Sequence, residues 1–273
     1  MNRTGKIFLI GITAALLLTA GCASNGEVNG DNGGNGVYDL STKNGIESFI
    51  DANWQEYGYS ERPSKYIALS FDDGPCPPAD SGGTAAMLQT LESLKVKATF
   101  FVIGRNVRNN KEAAEALFAA GHELGNHSDW YSSLGDSTVE AVSESLDACS
   151  AAIREITGEN PRIFRAPNLS HGPNLSLVCG EKGMPLIDGS GHYDWDGTGH
   201  TPASIRDSVL AGPQDGGIIV LHENNTSKGN TMAALPEIVS ALRERGFWIM
   251  TVGRLAAVKE KTLVAGKRYG SIN

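Results

Sequence analysis

Ser70-Phe71-Asp72-Asp73-Gly74-Pro75 decides the reading of this chain. It follows Tyr66-Ile67-Ala68-Leu69, a short apolar run that reads as a buried strand. Gly74-Pro75 then forces a turn. Two adjacent carboxylates therefore stand at the end of a strand, where sheets and barrels present chemistry. Successive strand residues point to opposite faces, but at a strand-to-loop bend both can reach one pocket. Like charges this close call for a cation. A bare Asp-Asp-Gly turn is equally a solvated loop, so the rest of the chain has to decide.

Outward from this stretch, apolar runs alternate with helical spacing. Strands are expected near 66–71, 97–103, 122–125, 161–164, 184–188, 217–221 and 247–251. Helices are expected near 84–95, 111–120, 138–157, 173–182, 202–210 and 231–245, with Gly121, Gly158, Gly183, Gly212 and Gly246 near their C-termini. The alternation predicts an α/β fold, an irregular (β/α) barrel with about seven parallel strands; a doubly wound open sheet is the alternative. Neither GxGxxG nor a P-loop is present, so no nucleotide is implied.

The N-terminus lies outside this pattern. Arg3 and Lys6 precede an apolar run from Ile7 to Ala20, as in a secretory leader. Leu18-Thr19-Ala20-Gly21-Cys22 resembles a bacterial lipobox, so residues 1–21 are expected to be removed and Cys22 lipidated. That places the protein across the inner membrane, anchored at the cell envelope. Residues 22–36 form a Gly/Asn-rich tether, 37–63 an extension with one short helix, 64–258 the main domain and 259–273 a tail. The formal net charge of −8 becomes more negative once the leader is lost, which argues against nucleic acid. A neutral polysaccharide or oligosaccharide fits, and a monomer is expected. Cys76, Cys149 and Cys179 remain besides Cys22; Cys149 with Cys179 is the expected disulfide if one forms.

The barrel rule puts catalytic groups at the C-terminal ends of strands. These ends carry Asp72 and Asp73; then Asn126 to Tyr131, with His127 and Asp129; Arg165 to Asn168; His192, Asp194 and Trp195; and His222 with Glu223. One Asp with His127 can hold a divalent cation, which acidifies a water to a pKa of about 7 in favourable zinc sites. The second Asp can take the proton, Arg165 can keep it ionised, and His222, placed across the barrel, can protonate the leaving group.

With these residues assembled, the chain resembles the polysaccharide deacetylases of carbohydrate esterase family four, which share the NodB homology domain. The likeness covers about residues 64–256. It rests on Ser70–Pro75, on Lys97–Val102 followed by Gly121–Ser128, on Phe164–Pro167, and on Ile219–His222 with Leu235–Ile238. The resemblance implies that Asp72 is the general base and Asp73 and His127 are metal ligands. It implies that Arg165 orients Asp72, that Asp194 braces Arg165, and that His222 is the general acid. Trp195 and Leu221 would line the acetyl pocket, and the N–H of residue 168 would join the oxyanion hole. Zinc, cobalt or nickel would be the cofactor, and acetylated polysaccharide the substrate.

Two departures stand out. Tyr131 occupies the position of the family's second metal His, so the metal is expected to be weakly held. Either Asp73 and His127 hold it with waters, or Asp129 joins them, or the site is empty and the domain only binds carbohydrate. Asn168 stands where the family often has Tyr, which alters sugar contacts. Tyr131 and the Tyr193–Gly197 loop look nearer the acetylxylan esterase branch, so O-acetyl hydrolysis is preferred over N-deacetylation of peptidoglycan or chitooligosaccharide. Among the smaller features, His122 is read as a packing residue. His171, His192 and His200 are read as exposed loop residues, His192, just before Asp194, being the candidate among them for touching substrate. Trp130 and Tyr193 are candidates for stacking on sugar.

Overall fold

The computed structural model of the protein describes residues 27–29, 37–77, 83–190, 199–223 and 229–273. The leader, Cys22 and the loop with Asp194 and Trp195 lie outside them. In chain order the strands are β1 (Glu27–Asn29), β2 (Val37–Asp39), β3 (Lys65–Asp72), β4 (Thr99–Val102), β5 (Glu123–Asn126), β6 (Leu186–Ile187), β7 (Gly217–His222), β8 (Phe247–Met250) and β9 (Arg268–Tyr269). The helices are α1 (Lys43–Asn53), α2 (Gly83–Ser93), α3 (Gly104–Asn109), α4 (Lys111–Ala119), α5 (Val139–Thr157), α6 (Pro173–Glu181), α7 (Pro202–Leu210), α8 (Asn230–Glu244) and α9 (Val252–Val258).

β3 is the hub. Its whole upper length pairs in parallel with β7 on one edge. On the other, its first half pairs with β8 and its last three residues with β4. β5 continues from β4. Phe164 then bridges Asn126 to Leu186, β6 pairs with β9, and Ser271 bridges back to Gly217 at the start of β7. The ring closes, which gives the irregular barrel expected from the sequence.

Two differences follow from this closure. The expected strand at 161–164 is reduced to a bridge at Phe164, because Pro161 and Pro167 flank it and cannot donate to a ladder. Residues 259–273, expected as a tail, instead supply β9 and bury Tyr269 and Ile272. The sequence signal there was too short and too charged to read as a strand.

β3 is buried on both faces, and its period of two divides its residues between two cores. Ile67, Leu69 and Phe71 of β3 face the helices, packing with Leu91, Leu235 and Ile238. The alternate residues Ala68, Ser70 and Asp72 form the inward column, apolar at the bottom and polar at the top. Residues 38–59 close the bottom: Leu40, Ile46, Ile50 and Tyr59 pack with Trp248 and Met250. Tyr59 stacks on Trp248 and donates from its hydroxyl to the Phe247 carbonyl at 2.8 Å. Cys76, Cys149 and Cys179 are each buried and unpaired, so the expected Cys149–Cys179 bridge is absent; the two thiols sit in different core clusters.

Candidate functional site

The site is built where β3, β5, β7 and the 164–167 segment end. Asp73 takes φ 73°, in the left-handed region. Asp tolerates it better than most residues, and the bend is what lets Asp72 and Asp73 serve one pocket. The turn is pinned from several sides. The Asn106 amide donates to the Asp73 carbonyl at 2.8 Å, Ile103 N–H to Gly74 O at 2.9 Å, and Glu223 N–H to Asp72 O at 3.0 Å. A Cβ on Gly74 would run into the Glu223 carboxylate, so any larger residue there requires that side chain to move.

Arg165 is fully buried and each nitrogen of its guanidinium has a partner. Nη1 donates to Asp72 Oδ1 at 2.7 Å and to Ser70 Oγ at 2.8 Å. Nε donates to the Ile187 carbonyl at 3.0 Å and Nη2 to the Asp188 carbonyl at 3.2 Å. Its flat face rests on the Phe101 ring, 4.0 Å from the centroid. A buried cation with this many fixed partners fixes the orientation of Asp72. Removing either partner of such a buried pair typically costs ~3–5 kcal/mol.

His127 has its tautomer set by the backbone. Nδ1 lies 2.8 Å from the Arg165 carbonyl oxygen, which can only accept, so Nδ1 carries the proton. In its neutral form the ring offers its Nε2 lone pair, 3.4 Å from Asp73 Oδ1 and 3.8 Å from Asp72 Oδ2. Asp73 Oδ1 is buried without a hydrogen-bond partner. An orphaned carboxylate oxygen facing an imidazole lone pair is the chemistry of a cation site. Two ligands at bond lengths of about 2.1 Å and near-octahedral or tetrahedral angles stand roughly 3.0–3.4 Å apart. The residues present therefore fit a divalent ion. Among the described residues no group of three His, Cys, Asp or Glu side chains surrounds this point.

Asp129 is engaged with Arg108, which donates to its Oδ2 at 2.8 Å. Tyr131 is 56% exposed and donates to Asn168 Oδ1 at 2.8 Å. Asn168 itself takes φ 54° in the turn Pro167–Leu169. Beside this pair, Trp130 is 53% exposed, with the Arg105 guanidinium 4.1 Å from its ring centroid.

β7 corrects two expectations. His222 stands not across the barrel but on the adjacent strand, in register with Asp72. Leu221 pairs with Phe71 and joins the helix-facing core, not the acetyl pocket. Val220, in register with Ser70, is the residue on the inward face below His222. Period-two counting back from His222 would have found it. Sequence reasoning also missed Ser70 and Asp188, whose roles lie in contacts made across the ring. Glu223 follows His222 directly at the end of β7. Burial pushes its carboxyl up to about 7, with Asp73's charge adding to the rise.

The polysaccharide deacetylase family profile matches residues 59–187. A bifunctional xylanase/deacetylase from Pseudobutyrivibrio xylanivorans is 34% identical over 204 residues, 74% of this chain. The chain spans only 32% of that protein's length. A peptidoglycan-N-acetylglucosamine deacetylase from Bacillus cereus is 31% identical over 71% of this chain and 90% of its own length. Among solved structures, a family 4 acetyl xylan esterase from Clostridium thermocellum, in complex with a cobalt ion, superposes with a TM-score of 0.69. That match has 31% identity and covers 76% of this chain and 99% of the esterase. With these likenesses and the geometry above, the chain belongs to the polysaccharide deacetylase family, carbohydrate esterase family four.

Proposed function

We propose that the protein is a metal-dependent hydrolase that removes acetyl groups from a polysaccharide, with the O-acetyl esters of xylan as the preferred substrate. The observation that carries this reading is the pairing of the Arg165-held Asp72 with the His127 Nε2 and Asp73 Oδ1 donor set. A bound divalent cation would be held by Asp73 and His127, and would supply an acidified water and a Lewis acid for the acyl oxygen. Asp72 Oδ1 is committed to Arg165, so Oδ2, on the side facing His127, is the oxygen that takes the water's proton. His222, in register with Asp72, is placed to return a proton to the departing sugar oxygen. General acid–base assistance of this kind is typically worth ~10²–10⁴ in rate. The Asn168 turn borders the acyl group, and Trp130 and Tyr131 offer aromatic faces to neighbouring sugars.

The xylan preference is supported by the names of the Pseudobutyrivibrio and Clostridium relatives and by Tyr131 in place of a metal His. N-deacetylation of peptidoglycan is the second reading, favoured by the Bacillus cereus relative, which the chain covers almost end to end. The sequence of the N-terminus supports export and anchoring through Cys22. Acetate release from acetylxylan, chitin oligomers and peptidoglycan, measured side by side with cobalt added, tests the reading. Acetylxylan should be turned over fastest. Faster release from peptidoglycan would favour the second reading, and no release from any of the three would leave a carbohydrate-binding domain.

A further inference from the structure

The two carbonyls that brace Arg165 belong to Ile187 and Asp188. The position of this dipeptide is therefore a condition for the position of Asp72. Ile187 is the last residue of β6, and the chain leaves the ladder immediately after it. Backbone pairing alone is thin here: Asp188 N–H donates to the Tyr269 carbonyl at 2.8 Å, and Ile187 N–H to Phe164 O at 2.7 Å.

The Asp188 side chain supplies the rest. Its carboxylate is 8% exposed. Arg268 of β9 donates to one oxygen, Oδ2, through both Nε at 3.0 Å and Nη2 at 2.8 Å. His171 Nε2 lies 3.0 Å from the other oxygen. Burial alone would raise this carboxyl, but His171 and Arg268 outweigh it and hold it below the usual range. One side chain thus ties the end of β6 to the C-terminal strand, and the loop that runs on from Asn168 brings His171 against its other oxygen.

We propose that Asp188, clamped by Arg268 and His171, is a positioning residue that sets Arg165 and hence Asp72. The closing strand β9 would then belong to the catalytic apparatus although it touches no substrate. The inference rests on the deacetylase reading of the site. His171, expected as an exposed loop residue, has its partner here, and Arg268 gives the last fifteen residues a task beyond closing the ring.

Arg268 is the residue to change, because its side chain is 52% exposed and its replacement leaves no cavity. Arg268→Gln should lower kcat on acetylxylan oligosaccharide about 10-fold, the scale of losing an orienting partner, with KM unchanged within a factor of two. Arg268→Lys, which keeps one charged donor, should recover most of that loss. Thermal melts of all three proteins report folding separately. Unchanged kcat in Arg268→Gln overturns the proposal. A loss of kcat that tracks a lowered melting temperature and is not recovered by Lys overturns it too, since that is the behaviour of a merely structural contact. A wild-type protein that releases no acetate from any substrate would instead sink the deacetylase reading, and this inference with it.

Discussion

His122 and His127 lie five residues apart, at opposite ends of β5, and the backbone assigns them opposite tasks. At the bottom, the Ala98 N–H donates to His122 Nδ1 at 3.1 Å. The ring's acceptor nitrogen is consumed, and the ring packs edge-on against Phe100, 5.2 Å away. Burial, helped by the charge of Lys97, pushes its pKa down to about 3. An open cavity of about 460 Å³ borders it, but the ring has no lone pair left to offer there. At the top, a carbonyl takes the place of the N–H, His127 Nδ1 becomes the donor, and the lone pair is released toward Asp73. The element, the residue type and the degree of burial are alike; the polarity of one backbone contact separates a packing residue from a candidate ligand.

Substitutions at the two ends should break in opposite ways. His127→Ala should abolish cobalt binding and lower acetate release on the order of 10³-fold; retained release without bound metal would erase the distinction drawn here. Asp72→Asn should cost ~10²–10⁴ in kcat while cobalt stays bound, as measured by equilibrium dialysis, separating the proton acceptor from the ligands. His122→Ala should do neither. Its cost is stability, about 2–4 kcal/mol from the cavity and the unpaired Ala98 N–H, read by urea unfolding, with full activity per folded molecule.

The bottom histidine also predicts a pH dependence. The unfolded chain protonates His122 near pH 6.5, whereas the folded chain does so only near 3. Its contribution is complete above pH 6.5 and is lost as pH falls toward 3, by about 2 kcal/mol at pH 5. His122→Leu should flatten that part of the stability profile, and an unchanged slope would show that the ring is not held neutral. The smallest effect is expected outside both histidines. Trp130→Ala should raise KM for polymer about 2- to 10-fold, given ~0.5–1.5 kcal/mol for an aromatic contact, and leave a small aryl acetate unaffected.

Much of this was legible in the sequence because it is local. The Asp-Asp turn, the strand–helix alternation and the helix-ending glycines are written in adjacent residues; Gly121, Gly158, Gly183 and Gly246 all take positive φ. The strand that closes the barrel was not legible, since β9 is two residues long and gains its partner only in three dimensions. The register error at Leu221 had a different origin. A strand buried on both faces shows no alternation of polarity, so hydropathy did not separate Leu221 from Val220; counting by two from His222 does, and the pairing of Leu221 with Phe71 agrees with it. Asp188 escaped notice because its significance lies in a carbonyl offered to Arg165, and main-chain groups carry no sequence signature.

The central claim is that Asp73 and His127 hold a cation that the Arg165-held Asp72 needs for hydrolysis. Titration of chelator-stripped protein with cobalt tests it most directly, following the metal's visible absorption and acetate release from acetylxylan oligosaccharide in the same samples. The account predicts no release from the stripped protein, and activity that rises with absorption to a plateau at one cobalt per chain. Full release in the presence of chelator, or saturation of the metal site with no release at all, would contradict it.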